Sequence, residues 1–227
     1  LRDLGLGAGE IVEVRRDSNN DFDRFTAGQI KNGSVESFTN GLGLVTWWKE
    51  QNRSGNDAIQ NISTKQPIIV DRGGNLIISN GKPSLFFNGN NSQLKTISNL
   101  NLNEISLFTV SEQKNDSNFR IVCSQWISAD DKVFVLGYTF NNSPYIHTIE
   151  GGKNRSVNTL EKQKILSGLF TQNKQELFEN GSSRGSASLT SFGGQSLTIS
   201  IGSTNDVNSN MFGNISEIIL YESNKSI

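Results

Sequence analysis

The chain has 227 residues, a mass of 25.0 kDa and a formal net charge of −1, from 21 Lys and Arg against 22 Asp and Glu. So even a balance carries no electrostatic footprint for nucleic acid and no polybasic membrane anchor. The single Cys and single His exclude an intrachain disulfide and a Cys/His zinc site, each of which needs more such residues.

The opening LRDLGLGAGE has no basic-then-apolar signal pattern, and no apolar run approaches the roughly 18 residues of a membrane helix. Leu1 is not an initiator Met and the chain stops at YESNKSI, so it reads as a segment of a longer protein. The length suits one domain, residues 1–227, with enough apolar surface to form a core without staples. Polarity comes mainly from 28 Asn and 29 Ser, while 13 Phe and short Ile and Val blocks argue against disorder.

In chain order, the first strand is expected at Ile11–Arg15, followed by a helical turn or two at Thr26–Ile30 and Ser34–Phe38. Strands are then expected at Leu44–Glu50, Pro67–Asp71, Asn75–Ser79, Ser84–Asn88 and Glu104–Gln113. The middle of the chain predicts Phe119–Gln125, Lys132–Phe140 and Tyr145–Glu150. The last third predicts Gln163–Thr171, Gln175–Glu179, Gln195–Ile201 and Gly213–Glu222. The clearest alternation is Leu197, Ile199 and Ile201 against Thr198 and Ser200, a period of two that sends one face to a core.

Five Asn-Gly pairs, at 32, 40, 80, 88 and 180, supply the positive φ that tight turns require. Pro67, Pro83 and Pro144 fall at strand starts or in loops, where a missing N–H does least harm. Many short strands without long amphipathic helices predict an all-β fold, two packed antiparallel sheets arranged as a jelly-roll sandwich with few short helices.

Candidate chemistry is sparse. Trp126, Tyr138, Tyr145 and His147 are aromatic residues in the middle third, with Asn142 in an adjoining loop and Arg155 following. Tyr145 and His147 share a strand face, and rings beside amide donors are what glycan binding needs. The plainer alternative is that His147 is a half-exposed strand residue. Trp47 and Trp48 are adjacent on a strand, so they point to opposite faces; one belongs to the core and the other covers a sheet edge. Calcium is a weaker candidate, through oxygen-rich loops at Asp130, Asp131 and Asp206, although none forms a defined calcium-loop motif. No cofactor is required. A serine-hydrolase arrangement lacks the G-x-S-x-G elbow and would have to use His147.

Four segments in order, LRDLG…GEIVEVRRDSNN, VTWWKEQNRSGNDAIQ, QPIIVDRGGNLIISNGKPSLFFNGNNSQL and LTISIGSTNDVNSNMFGNISEIILYES, carry a resemblance. They resemble the laminin-G-like, concanavalin A-like jelly rolls of phage virion proteins and bacterial surface proteins. The resemblance implies a virion structural module, such as a tail fibre, spike or capsid decoration, that adheres to a host cell-surface glycan. Its other implied partners are virion proteins and further copies of itself, with no nucleic acid and no membrane insertion. Location on the virion follows, or alternatively the extracellular space or bacterial surface for a secreted carbohydrate-binding adhesin.

The opening and the segment after Trp47-Trp48 also resemble the catalytic domain of family 54 α-L-arabinofuranosidases, which implies a glycoside-hydrolase alternative. Such chemistry needs two carboxylates flanking the glycosidic bond. In the segment matching that family's acid/base loop, Ile201-Gly202-Ser203-Thr204-Asn205, Thr204 stands at the Asp position, and Asp206 is two residues further on. The family's vicinal cysteine pair is also missing, since Ser124 follows Cys123. The expectation is therefore a non-enzymatic domain.

Overall fold

The structure, a computed structural model, describes residues 9–52, 54–114, 118–126, 132–139, 142–148, 151–154, 162–204, 209–223 and 225. The chain opens with β1 (Glu10–Arg16) and β2 (Phe22–Thr26), then two short helices, α1 (Ala27–Lys31) and α2 (Ser34–Thr39). Thr26 caps α1: its hydroxyl accepts from the Gln29 backbone N–H while the Gln29 side chain accepts from the Thr26 N–H. Asn40, at φ +44°, ends α2 in the left-handed region.

Next come β3 (Gly43–Trp48), β4 (Ala58–Ile59), β5 (Ile68–Val70), β6 (Ile78–Ser79), β7 (Lys82–Pro83), β8 (Leu85–Asn88), β9 (Leu94–Thr96) and β10 (Leu100–Asn101). The central strands are β11 (Ile105–Gln113), β12 (Arg120–Trp126), β13 (Lys132–Tyr138), β14 (Pro144–Thr148) and β15 (Gly151–Asn154). The chain continues through β16 (Lys164–Thr171), β17 (Lys174–Glu179), β18 (Ser182–Ser188), β19 (Ser196–Leu197), β20 (Ser200–Ile201) and β21 (Phe212–Tyr221).

Every strand ladder is antiparallel. One sheet runs β2–β1–β3–β5–β8–β21–β11–β16–β17–β18. The other runs β4–β9–β20–β12–β13–β14–β15. The two meet at β3, whose Gly43 and Leu44 pair with β5 while Trp47 and Trp48 pair with β4. The fold is thus an all-β sandwich with two short helices, as the strand spacing predicts.

The core lies between the sheets. Ile105, Leu107, Leu166 and Phe170 enter from one, and Phe134, Leu136, Tyr138 and Ile146 from the other, all fully buried. The Phe134 and Phe170 rings meet across the sheets at 5.5 Å, and Phe170 stacks on Phe192 at 5.2 Å.

The sequence expectation misses β2, β4, β9, β10 and β15, and the strand expected at Asn75–Ser79 is only a bridge at Leu76 and β6. Two further differences have a clear physical reason. Gln195–Ile201 is not one strand. Leu197 pairs with β10, Ile201 pairs with β12 and β9, and the intervening Ile199 N–H donates to the Thr96 hydroxyl instead of a ladder carbonyl. Three partners in seven residues break the strand although its apolar alternation is regular. Conversely β18, SSRGSAS, lacks apolar alternation. It forms because Asn180 and Gly181, both at positive φ, turn the chain back along β17.

Phe134→Ala should lower stability by roughly 3–5 kcal/mol, because it opens a cavity between the sheets. Phe22→Ala, at a residue 56% exposed, should change it by no more than about 0.5 kcal/mol. Urea unfolding of both variants tests this; equal losses would contradict the assigned core.

Candidate functional site: an aromatic strip on the outer face of one sheet

The strand register determines which side chains share the outer face. Val135 lies opposite both Ser124 and His147, and Gly137 lies opposite Tyr145. Directly paired residues point the same way, so Ser124, Val135, Gly137, Tyr145 and His147 face out of the sandwich while Phe134, Leu136 and Tyr138 face in. Yet Val135 is fully buried. The outer face therefore has its own cover.

Part of that cover is a strip of four rings. Phe119 meets Tyr145 edge to face at 5.4 Å, Tyr145 meets His147 at 5.7 Å, and His147 meets Trp126 at 6.2 Å. The last two pairs are inclined by only 36° and 32°, so Tyr145, His147 and Trp126 present a gently stepped surface. All four side chains are half-buried. Gly137 lets β12 and β13 approach closely: a Cβ there would lie 2.3 Å from the Arg120 carbonyl. Burial pushes the Tyr145 hydroxyl up to about 12, so at neutral pH it keeps its proton and can donate a hydrogen bond.

Beside the strip, the Ser124 hydroxyl donates to the Ser203 carbonyl at 2.8 Å, and the Ser203 hydroxyl donates to the Gln93 amide oxygen at 2.8 Å. Gly202 begins this bend at φ +80°, where a Cβ would fall 2.2 Å from the Phe87 ring. Thr204 follows, only 3% exposed.

The structure thus brings together Trp126, Tyr145 and His147 of the sequence-predicted set and places Tyr138 and Asn142 elsewhere. Tyr138 belongs to the core: it is fully buried, on the inward face, and its hydroxyl is 2.8 Å from that of Ser111 on the opposite sheet. A ring sealed between the sheets offers no surface to a ligand. Asn142 is also buried, in a turn at φ +60° where its carbonyl accepts from Lys164 Nζ at 2.9 Å. Arg155, Asp130, Asp131 and Asp206 lie outside the described residues. Among the described residues no group of three or more His, Cys, Asp and Glu could hold a metal ion.

Phe119 was not singled out from the sequence. Its signal was indirect: it lies two residues before Ile121, which pairs with Gly137, the one position of β13 without a side chain.

Trp47 and Trp48 diverge as their adjacency requires. Trp47 faces outward, its ring covered by the Arg24 guanidinium at 4.8 Å and its indole N–H donating to Asp57 at 2.7 Å. Trp48 faces inward onto a second feature, a cavity of about 590 Å³ at one end of the sandwich. Its inner wall includes Ala58, Leu100, Cys123, Ile199, Ile201 and Leu220, and its rim includes Glu50, Asn52 and Ser54. The Glu50 carboxylate is already engaged by the Ser54 hydroxyl and the Asn56 N–H. Lys49, Asn56, Thr96, Glu217, Tyr221 and Glu222 also line the cavity, so it sets polar groups beside the Trp48 ring and its apolar inner wall. Both features thus pair an apolar face with polar groups, and the strip offers the larger array of adjoining rings.

No family model matches the sequence, and no curated protein matches it. Solved structures do resemble it. A family 54 α-L-arabinofuranosidase soaked with a cyclic sulfate inhibitor superposes with a TM-score of 0.67 at 13% identity, over 94% of this chain and 55% of that one. A mutant of such an enzyme soaked with 4-nitrophenyl α-L-arabinofuranoside gives 0.64 at 12% identity over the same shares. A Trypanosoma rangeli sialidase complex gives 0.57 at 11% identity, over 97% of this chain and 31% of that one. This chain spans about half the length of the arabinofuranosidases. At such identities the likeness shows the fold alone: a β-sandwich that also occurs in glycan-processing proteins.

Cys123 reports on the cavity. It is fully buried, and burial pushes its thiol up to about 12. A disulfide reagent such as DTNB at pH 8 should leave it unlabelled in the native protein and react promptly once urea is added. Rapid native labelling would mean that the cavity opens far enough to admit reagent and ionise the thiol.

Proposed function

We propose that this chain is a non-enzymatic carbohydrate-binding module that uses the strip of Phe119, Tyr145, His147 and Trp126 as its platform. The observation that carries the reading is the strip itself: rings in register on a sheet's outer face, half-buried and gently stepped. Such faces stack on the C–H surfaces of sugars, and the Tyr145 hydroxyl can serve a sugar hydroxyl.

The finer reading rests on the resemblance to phage virion proteins. The module would sit on a virion as part of a tail fibre, spike or capsid decoration, beside other virion proteins and copies of itself. There it would hold a host-surface glycan through weak contacts multiplied by display in many copies. A bacterial surface adhesin would use the same strip. No cofactor is required, and an EDTA arm in each binding assay tests calcium at Asp130, Asp131 and Asp206.

The hydrolase alternative draws on the likeness to the arabinofuranosidases. Against it, Thr204 occupies the position that the sequence resemblance assigns to the acid, and a hydroxyl with so high a pKa is no useful proton donor at neutral pH. Its burial also leaves little access for a leaving group.

A glycan array that includes bacterial surface polysaccharides should reveal ligands. His147→Ala and Tyr145→Ala should each weaken binding by about three- to tenfold, the scale of one aromatic contact, with circular dichroism unchanged. Retained affinity in both folded variants would remove the strip from the function. Incubation with 4-nitrophenyl α-L-arabinofuranoside should release no nitrophenol. Turnover abolished by Asp206→Asn would replace the binding module with a hydrolase.

A further inference from the structure

Two inward-facing residues of β21 are left partly uncovered. Ile218 lies opposite Thr109 and Leu220 opposite Leu107, and both β11 partners are buried, so all four point between the sheets. Yet Ile218 and Leu220 are only half-buried, as are Trp48 and Leu100. All four line the end cavity of about 590 Å³, behind which lie the buried Cys123 and Ile201. The core is thus open at this end of the sandwich, and both sheets contribute apolar wall to the opening. Water held against such a wall finds few partners, and an apolar group that displaces it gains by its own burial.

The charges at the mouth are not equivalent. The Glu50 carboxylate is engaged by the Ser54 hydroxyl and the Asn56 N–H. Glu217 lies opposite Val110, on the outer face of its sheet, and Glu222 is exposed to solvent. Lys49 differs from all three. It directly follows Trp48, it is half-buried, and among the described residues it makes no ion pair and no side-chain hydrogen bond. An ammonium partly removed from water without a counter-charge favours an anion beside it.

We propose that the end cavity is a second binding site, for an unbranched apolar chain that ends in a carboxylate. The chain would lie between the sheets against Trp48, Ile218 and Leu220, and the carboxylate would meet Lys49 at the mouth. A cationic head group would meet the same unpaired ammonium and be disfavoured. The site shares no residue with the aromatic strip, so it stands whether or not the strip binds a glycan.

The test is isothermal titration of the intact domain with hexanoate, octanoate, decanoate and dodecanoate, each below its micelle concentration. Dodecyltrimethylammonium serves as the control with a cationic head. Affinity should rise roughly threefold with each added methylene, as the burial of apolar surface requires, with one carboxylate bound per chain. In a ¹H–¹⁵N correlation spectrum dodecanoate should shift the Trp48 indole signal and leave that of Trp126 in place. Lys49→Gln should weaken dodecanoate about three- to fivefold without weakening dodecyltrimethylammonium. Equal affinity of the parent for the two head groups would overturn the assignment of the carboxylate to Lys49. An affinity independent of chain length, several equivalents bound per chain, or an unmoved Trp48 indole would overturn the site itself.

Discussion

The strand β13 is apolar on both faces, and most of the molecule's organisation follows from that. Phe134, Leu136 and Tyr138 point inward, Val135 outward, and all four are buried. Leaving Val135 in water would forgo roughly 1.5–3 kcal/mol of burial. The sandwich core satisfies one face. The other is covered by structure that must come from neighbouring strands and loops, and part of that cover is aromatic. The rings of the strip are thus held over a rigid floor in a fixed register. Platform residues bind best when their rotamers are set before the ligand arrives.

The same logic separates the two ligand-sized features of the molecule. The end cavity exists where β3 turns from one sheet to the other and the two sheets diverge, between Trp48 and the β21 residues Ile218 and Leu220. Its volume falls within the usual range of small-molecule sites, and its lining joins core aliphatics to polar groups such as Lys49, Asn56 and Glu222. Volume alone would favour the cavity. The strip offers more ring surface, and sugars need both an apolar face to stack on and solvent or protein groups for their hydroxyls. Rings on an outer face leave most of those hydroxyls in water.

Much of this was legible in the residues. Short strands separated by Asn-Gly, the near absence of helix and the opposed Trp47 and Trp48 all follow from local rules of backbone geometry and alternation. The pairing of Tyr145 with His147 on one face follows from the same alternation. What alternation cannot reveal is which face is inward on a strand with both faces apolar. Tyr138 therefore looked like a neighbour of Tyr145, when the register puts them on opposite sides of the sheet. Nor can local pattern anticipate a strand interrupted by its partners, as at Ile199, or a polar strand such as β18 held by a turn and a long neighbour. Phe119 joins the strip through its edge-to-face contact with Tyr145 on another strand, and no spacing along the chain announces such a contact.

The three tryptophans allow the central claim to be tested in one spectrum. Trp126 lies on the strip, Trp48 on the cavity, and Trp47 under Arg24. Each contributes one indole N–H signal to a ¹H–¹⁵N correlation spectrum, assignable by Trp→Phe substitution. Titration with the tightest-binding glycan from the array should shift the Trp126 indole in proportion to occupancy and leave the Trp47 and Trp48 indoles in place. A Trp48 shift at saturation with Trp126 unmoved would put the glycan in the end cavity and contradict the account.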